Sequence, residues 1–212
     1  MLSVIPSAIR TPRAATLRKQ EAILVEAERH FARYGFEGAS LDAIATALDL
    51  SRQNLLYHWP SKDELYRAVL DSVMGEWMAC MTAITEADDP EVAVHAYIAA
   101  KLRFSRERPS GNAVFTREIM AGAPRYADVL QAQVMPLLHA DVARFERWAA
   151  EGRIAVVDFT HLMFLIWGST QAYADLAPQF ALYMGKPALE EADFEAAHTL
   201  IAGLVWHRLK PR

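Results

Sequence analysis

Six consecutive residues, Arg52, Gln53, Asn54, Leu55, Leu56 and Tyr57, put a guanidinium, two side-chain amides and a phenol on one short stretch. Asn and Gln match the N6/N7 edge of adenine, Arg suits guanine or a phosphate, and an aliphatic group such as Leu56 meets a thymine methyl. The stretch follows Ser51, a good helix cap, so a short helix is expected here. At about 100° per residue, Leu55 and Trp59 share the face that must pack, while Gln53 and Tyr57 point the opposite way. Asn54 and Leu56 flank them. The outward face is one that reads bases, and Lys62, just beyond, is placed for a phosphate. An ordinary solvated helix surface would not explain large Leu56, Tyr57 and Trp59 on so short an element.

A second set of chemistry-bearing residues lies farther along the chain. Trp167 and Gln171 stand one turn apart, Trp77 lies on an earlier helical pattern, and Glu118 lies near Phe115. A lone glutamine in an apolar setting is more often satisfied by backbone than by a ligand. Beside tryptophans it offers one donor and one acceptor, which match the N–H and C=O edge of a flat pyrimidine imide stacked on indoles.

Catalytic chemistry finds little support. The seven histidines lack His-x-x-x-His or His-Glu-x-x-His spacing, and neither a Gly-rich phosphate loop nor a Gly-x-Ser-x-Gly nucleophile motif is present. Glu118 and other buried carboxylates are expected to pair with arginines such as Arg106 or Arg117. The single cysteine, Cys80, excludes an intrachain disulfide and a cysteine-based zinc site, and it reads as buried packing. No cofactor and no metal site are expected. With no run of 18 uncharged apolar residues and no secretory signal, a cytoplasmic protein without a membrane contact is expected. The net charge of −4 is uneven: residues 1–62 hold eight Lys and Arg against six Asp and Glu, and the rest of the chain is acidic. A basic end on an acidic body fits a nucleic-acid partner.

The elements that must position these residues can be followed along the chain. Residues 1–15 read as a flexible arm carrying Arg10 and Arg13. A first helix is expected from Thr16 to Tyr34, with Ile23, Ala27, His30, Phe31 and Tyr34 on its buried face, ended by Gly35 and Gly38. A second follows Ser40 and packs Leu41, Ile44, Ala45 and Leu48. After the third, Pro60 stops the chain, Ser61 caps the fourth helix, and Asp63 and Glu64 favour its N-terminal end. That fourth helix, from Lys62 to about Ile84, buries Leu65, Val69, Val73, Trp77 and Met81 and acts as a lever from the head into the body. Further helices are expected at 91–106, 113–121 and 126–150, with turns at Arg108-Pro109-Ser110-Gly111 and Gly122-Ala123-Pro124. The helix from Phe159 to Leu176 is apolar nearly all round, and a last one runs from Leu189 to Leu209. Two such helices meeting their symmetry mates make a four-helix dimer interface.

Phe31, Gly35 and Gly38, with the run from Ser40 to Tyr66, resemble the N-terminal domain of the TetR family of transcriptional regulators. That resemblance puts Arg52, Gln53, Asn54 and Tyr57 at base- or backbone-contacting positions, Ser51 at the head of the same helix, and His58 and Lys62 at phosphate-contacting ones. Asp49 stands where the family commonly has glycine in the turn, although aspartate tolerates left-handed angles better than most residues. Leu56 replaces a tyrosine seen in many relatives. The runs at 101–106, 118–124 and 166–175 are similar to a narrower branch of the family that governs pyrimidine use and responds to uracil and thymine. In that branch Trp77, Trp167 and Gln171 fall at pocket positions.

The expected architecture is all-α, with about nine helices: a helix-turn-helix domain over 16–62 and a ligand-binding and dimerisation domain over 63–212. The resemblance implies a homodimer that binds a double-stranded DNA operator, most simply as a repressor, under control of a small-molecule effector. The alternative is a helical small-molecule binding or scaffold protein with a non-functional head.

Overall fold

The computed structural model describes residues 14–211, apart from the side chains of Ala15 and Cys80. The expectations for most of the arm, and for the packing of Cys80, lie outside the described residues. Ala14 and Ala15, expected in the arm, already belong to the first helix. Every regular element among the described residues is helical, and the chain divides into two compact units after Tyr66.

The first unit contains α1 (Ala14–Gly38), α2 (Leu41–Ala47), α3 (Arg52–His58) and the start of α4 (Lys62–Glu86). Ile23, Ala27 and Phe31 are buried along α1 as their spacing predicts. The helical path breaks at Gly35, whose φ of 71° and ψ of 178° are open essentially to glycine alone. Tyr34, expected on the buried face, is 50% exposed instead, against His30 and Arg33. The break turns Phe36 inward: Phe31, Phe36 and Tyr66 form a cluster with centroids 4.9–6.3 Å apart, so Phe36 fills the space expected for Tyr34. Because Leu65 and Tyr66 are buried, the unit ends four residues past the boundary read at Lys62.

The second unit continues along α4 and adds α5 (Pro90–Glu107), α6 (Pro109–Met120), α7 (Ala127–Val129), a π-turn (Leu130–Val134), α8 (Met135–Ala150), α9 (Phe159–Asp175), α10 (Ala177–Tyr183) and α11 (Glu191–Leu209). Val69, Val73, Trp77 and Met81 of α4 are all buried. Asp89 caps α5 by accepting from Glu91 and Val92 at 2.8 and 3.0 Å, and Asp158 caps α9. α5 packs against both α9 and α11, and α9 also meets α6, α8 and α10.

Two departures from the expected elements have local causes. Residues 109–111, expected as a turn, open α6, because proline is pre-organised for the first helical position and its missing N–H costs nothing there. Gly111 permits a close approach in that turn, since a Cβ would stand 3.0 Å from Val73 Cγ2 and Arg108 Cγ. The expected helix over 126–150 contains the π-turn, and Pro136, which cannot donate to a carbonyl four residues back, follows directly. α10 had no counterpart among the expected elements.

Candidate functional site

The head is built by two hydroxyl caps and one left-handed residue. Ser40 Oγ accepts from Ala43 N at 3.4 Å to start α2, and Ser51 Oγ accepts from Asn54 N at 3.2 Å to start α3. Between the helices Asp49 adopts a φ of 54°, while Leu50 N donates back to Ala45 O at 2.9 Å. Asp49 thus performs the glycine's part. α3 is anchored by Leu55, which is fully buried, and presents Arg52, Gln53 and Asn54 on its surface with Tyr57 82% exposed. Leu56, His58 and Trp59 are half-buried.

Two cationic groups near the reading helix, Arg52 and Lys62, already have partners. Arg52 donates to Asp42 Oδ2 at 2.9 Å across the turn, an exposed pair of little net worth that a phosphate could replace. Lys62 Nζ donates to Glu37 O at 3.0 Å and lies 4.8 Å from the Phe36 ring centre. It therefore ties the end of α1 to the start of α4, with further N–H bonds to offer. Burial first, and the charge of Lys19 second, hold the His58 imidazole below its ordinary value.

In the second unit the tryptophans named from sequence come together. Trp77 of α4 and Trp167 of α9 meet edge to face with centroids 5.2 Å apart, and Phe115 of α6 lies 6.3 Å from Trp77. Two residues that the sequence did not mark as pocket candidates complete the cluster. Trp167 Nε1 donates to Tyr97 OH at 2.6 Å, and the buried Lys101 places Nζ 4.0 Å from the Trp77 ring centre. A lysine inside the apolar stripe Val94, Tyr97, Ile98 and Leu102 was the available signal. A flat ring sandwiched between two indoles needs them about 7 Å apart, twice the stacking distance, so the two tryptophans do not form a slot here.

Gln171, one turn beyond Trp167, donates through Nε2 to Thr116 Oγ1 at 2.6 Å, and Thr116 lies 3.0 and 3.1 Å from the two carboxylate oxygens of Asp175. These three side chains line a groove of about 600 Å³ between α6 and α9, with Arg117, Met120 and Leu176 at its edges. Burial pushes the Asp175 carboxyl up, while Thr116 and Gln171 beside it pull it down. Glu118 is 3% exposed, and its Oε1 accepts from Arg125 N at 2.6 Å, so its carboxylate holds the turn after α6. Arg106, named as a possible partner for such carboxylates, pairs instead with Glu191 at 2.7 Å and Glu107 at 3.0 Å.

α9 and α11 each carry apolar side chains in two directions. Leu162, Met163 and Ile166 of α9 are buried, while Phe164 and Leu165 are 49% and 62% exposed. On α11, Phe194, Ala197 and Val205 are buried, and Leu200 and Leu204 are 60% and 63% exposed.

Comparison with known proteins gives a consistent result. Residues 23–69 match the family model described as bacterial regulatory proteins, tetR family, and residues 70–212 match that of the YcdC-like protein C-terminal region. The chain is 36% identical over 198 residues to the HTH-type transcriptional regulator RutR of Escherichia coli K12, covering 93% of each chain. A TetR family transcription regulator from Marinobacter aquaeolei VT8 shares the fold with a TM-score of 0.74 at 19% identity, covering 95% of this chain and 100% of that one. A TetR-like regulator from Rhodococcus sp. RHA1 does so with a TM-score of 0.68 at 23% identity, covering 93% and 97%. The proteins of this family are regulators rather than enzymes. The chain belongs to the TetR family of ligand-responsive, DNA-binding transcriptional regulators.

Proposed function

We propose that this regulator acts as a homodimer whose operator affinity is set by a pyrimidine such as uracil or thymine, acting most simply to release a repressor. The observations that carry the reading are the convergence of Trp77, Trp167 and Phe115 into a set of flat apolar faces, and the Gln171 amide, one donor and one acceptor, one turn beyond Trp167 on α9. A flat imide entering between the indoles must separate them. Trp77 lies on α4, whose first residues are the head's last element, so spreading the indoles biases α4. Only the ligand's difference in affinity between the two arrangements supplies the switch.

In this reading Ser51, Arg52, Gln53, Asn54, Tyr57, His58 and Lys62 form the DNA contact set. Asn54 and Gln53 read base edges, and Lys62 and His58 approach phosphates. The exposed Phe164, Leu165, Leu200 and Leu204 favour pairing of α9 and α11 with their symmetry mates. The two heads then meet successive major grooves, about 34–36 Å apart.

The test is retention of genomic DNA fragments by the full-length protein at moderate salt, with and without uracil. The expected result is selective retention that uracil weakens. Failure to retain any fragment while uracil still binds would return the protein to the class of small-molecule binding proteins with an inactive head.

A further inference from the structure

We infer that Thr116 and Asp175 are positioning residues that lock the orientation of the Gln171 amide, so that the effector meets its carbonyl oxygen and one remaining N–H in a fixed order. The inference rests on the reading of Gln171 as an effector contact and adds to it the reason for the amide's selectivity.

The argument is a count of protons. An ionised carboxylate only accepts hydrogen bonds, and a threonine hydroxyl has one proton to donate. Thr116 Oγ1 lies within 3.1 Å of both Asp175 oxygens, so its proton goes to Asp175. Its oxygen is then left as an acceptor. The Gln171 atom 2.6 Å away must therefore be the amide nitrogen, and the opposite orientation would set a carbonyl against a lone pair. Free glutamines flip at little cost; this one cannot.

Three consequences follow. One of the two amide protons is spent, leaving the carbonyl oxygen and one N–H for a ligand, and their sides are fixed by α6 and α9 rather than chosen on binding. Such pre-organisation removes an entropic cost of association. It also sets the ligand class: a molecule with an N–H beside a C=O, as in an imide or cyclic amide, and not one with acceptors alone.

The experiment uses full-length protein with uracil and 1,3-dimethyluracil as probes, in the wild type, T116S, T116V and D175N. Uracil binding measured by calorimetry is expected to weaken about tenfold or more in T116V, the loss of one oriented hydrogen bond, and to stay within about threefold in T116S. D175N can donate to Thr116 and so turn its hydroxyl toward Gln171, reversing the relay, and it is expected to behave like T116V. 1,3-Dimethyluracil, with no N–H, is expected to bind the wild type at least about tenfold more weakly than uracil. Equal losses in T116S and T116V, or equal binding of the two probes, would overturn the inference.

A second readout needs no ligand. In ¹⁵N-labelled protein the Gln171 NH2 signals, assigned by their loss in Q171A, are expected to be protected from exchange in the wild type and T116S and unprotected in T116V. Unprotected signals in the wild type would overturn the relay. Protected signals in a protein that does not bind uracil would sink the pyrimidine reading and leave the relay standing.

Discussion

The head and the body solve opposite problems with similar side chains. In the head, α3 keeps one residue, Leu55, fully buried and turns its polar groups outward, leaving Gln53, Asn54 and Tyr57 exposed, the face we propose reads DNA. In the body, Trp77, Trp167, Tyr97 and Lys101 satisfy one another, so a ligand bound where we propose would have to displace existing contacts. A surface that reads a polymer can be exposed because water solvates its donors until DNA replaces it. A pocket that responds to a small molecule needs a closed arrangement to depart from, since a site indifferent to its occupant cannot shift an equilibrium.

The largest expected effect tests how little holds the reading helix in place. Truncating Leu55, which is fully buried, to alanine is expected to cost about 3 kcal/mol or more. Operator binding should be lost, while uracil binding by calorimetry stays within a few-fold of wild type. Equal loss of both would mean that the two units are not separable in function.

Next comes the body's own stability. Asp141 is 1% exposed, its Oδ2 has no hydrogen-bond partner, and burial pushes its carboxyl up to about 7. An unfolded aspartate titrates near 4. Below that value both states are protonated and nothing is lost; between about 4 and 7 the folded state keeps a proton that the unfolded state has released, so stability falls as pH rises. Above 7 the full penalty applies. Asp141→Asn is therefore expected to flatten this dependence and to stabilise the protein above pH 7 by on the order of 2 kcal/mol, the remaining hydration reducing the ideal figure. Denaturant midpoints at pH 5 and 8 check this; an unchanged difference between them would refute it.

The comparison also explains what could be read from sequence. The head was legible because its signals are local: Ser40, Ser51 and Ser61 each cap within three residues, Pro60 ends α3, and Asp49 took the left-handed angle its side chain tolerates. Tyr34 was misplaced because periodicity does not register a break that brings Phe36 round to fill the same space. In the body, Trp77, Trp167 and Gln171 stood out by type, but Thr116 and Asp175 did not, because their role exists only where α6 meets α9. Lys101 was visible as a charge in an apolar stripe. Its position over Trp77 depends on how α4 and α5 pack.

Within the head, base reading and phosphate anchoring separate by measurement. Asn54→Ala is expected to cost about 1–3 kcal/mol at the preferred operator and to relax preference at one base position. Lys62→Ala should weaken all sequences alike and lower the salt slope by about one. Because Lys62 also bonds Glu37 O, its loss is expected to lower head stability slightly, by about 0.5–1.5 kcal/mol. Filter binding across a salt series decides between the roles, and a sequence-selective effect of Lys62→Ala would exchange them.

The smallest effects compare one backbone feature in both regions. Asp49 in the head and Ala123 in the body each have a φ of 54°, an angle that costs ordinary L-residues roughly 1–2 kcal/mol. Aspartate, with a short polar side chain that bonds locally, bears less of this cost than alanine. Glycine removes the strain but gains freedom in the unfolded chain, which returns about 0.4–1 kcal/mol of the benefit. Ala123→Gly is therefore expected to stabilise by about 0.5–1 kcal/mol, and Asp49→Gly to change stability by less than about 0.5 kcal/mol. Both are read from denaturant midpoints. A stabilisation at Asp49 as large as that at Ala123 would mean that aspartate is strained in the turn and held there for a reason other than backbone tolerance, and the turn would then join α3 as a candidate DNA contact.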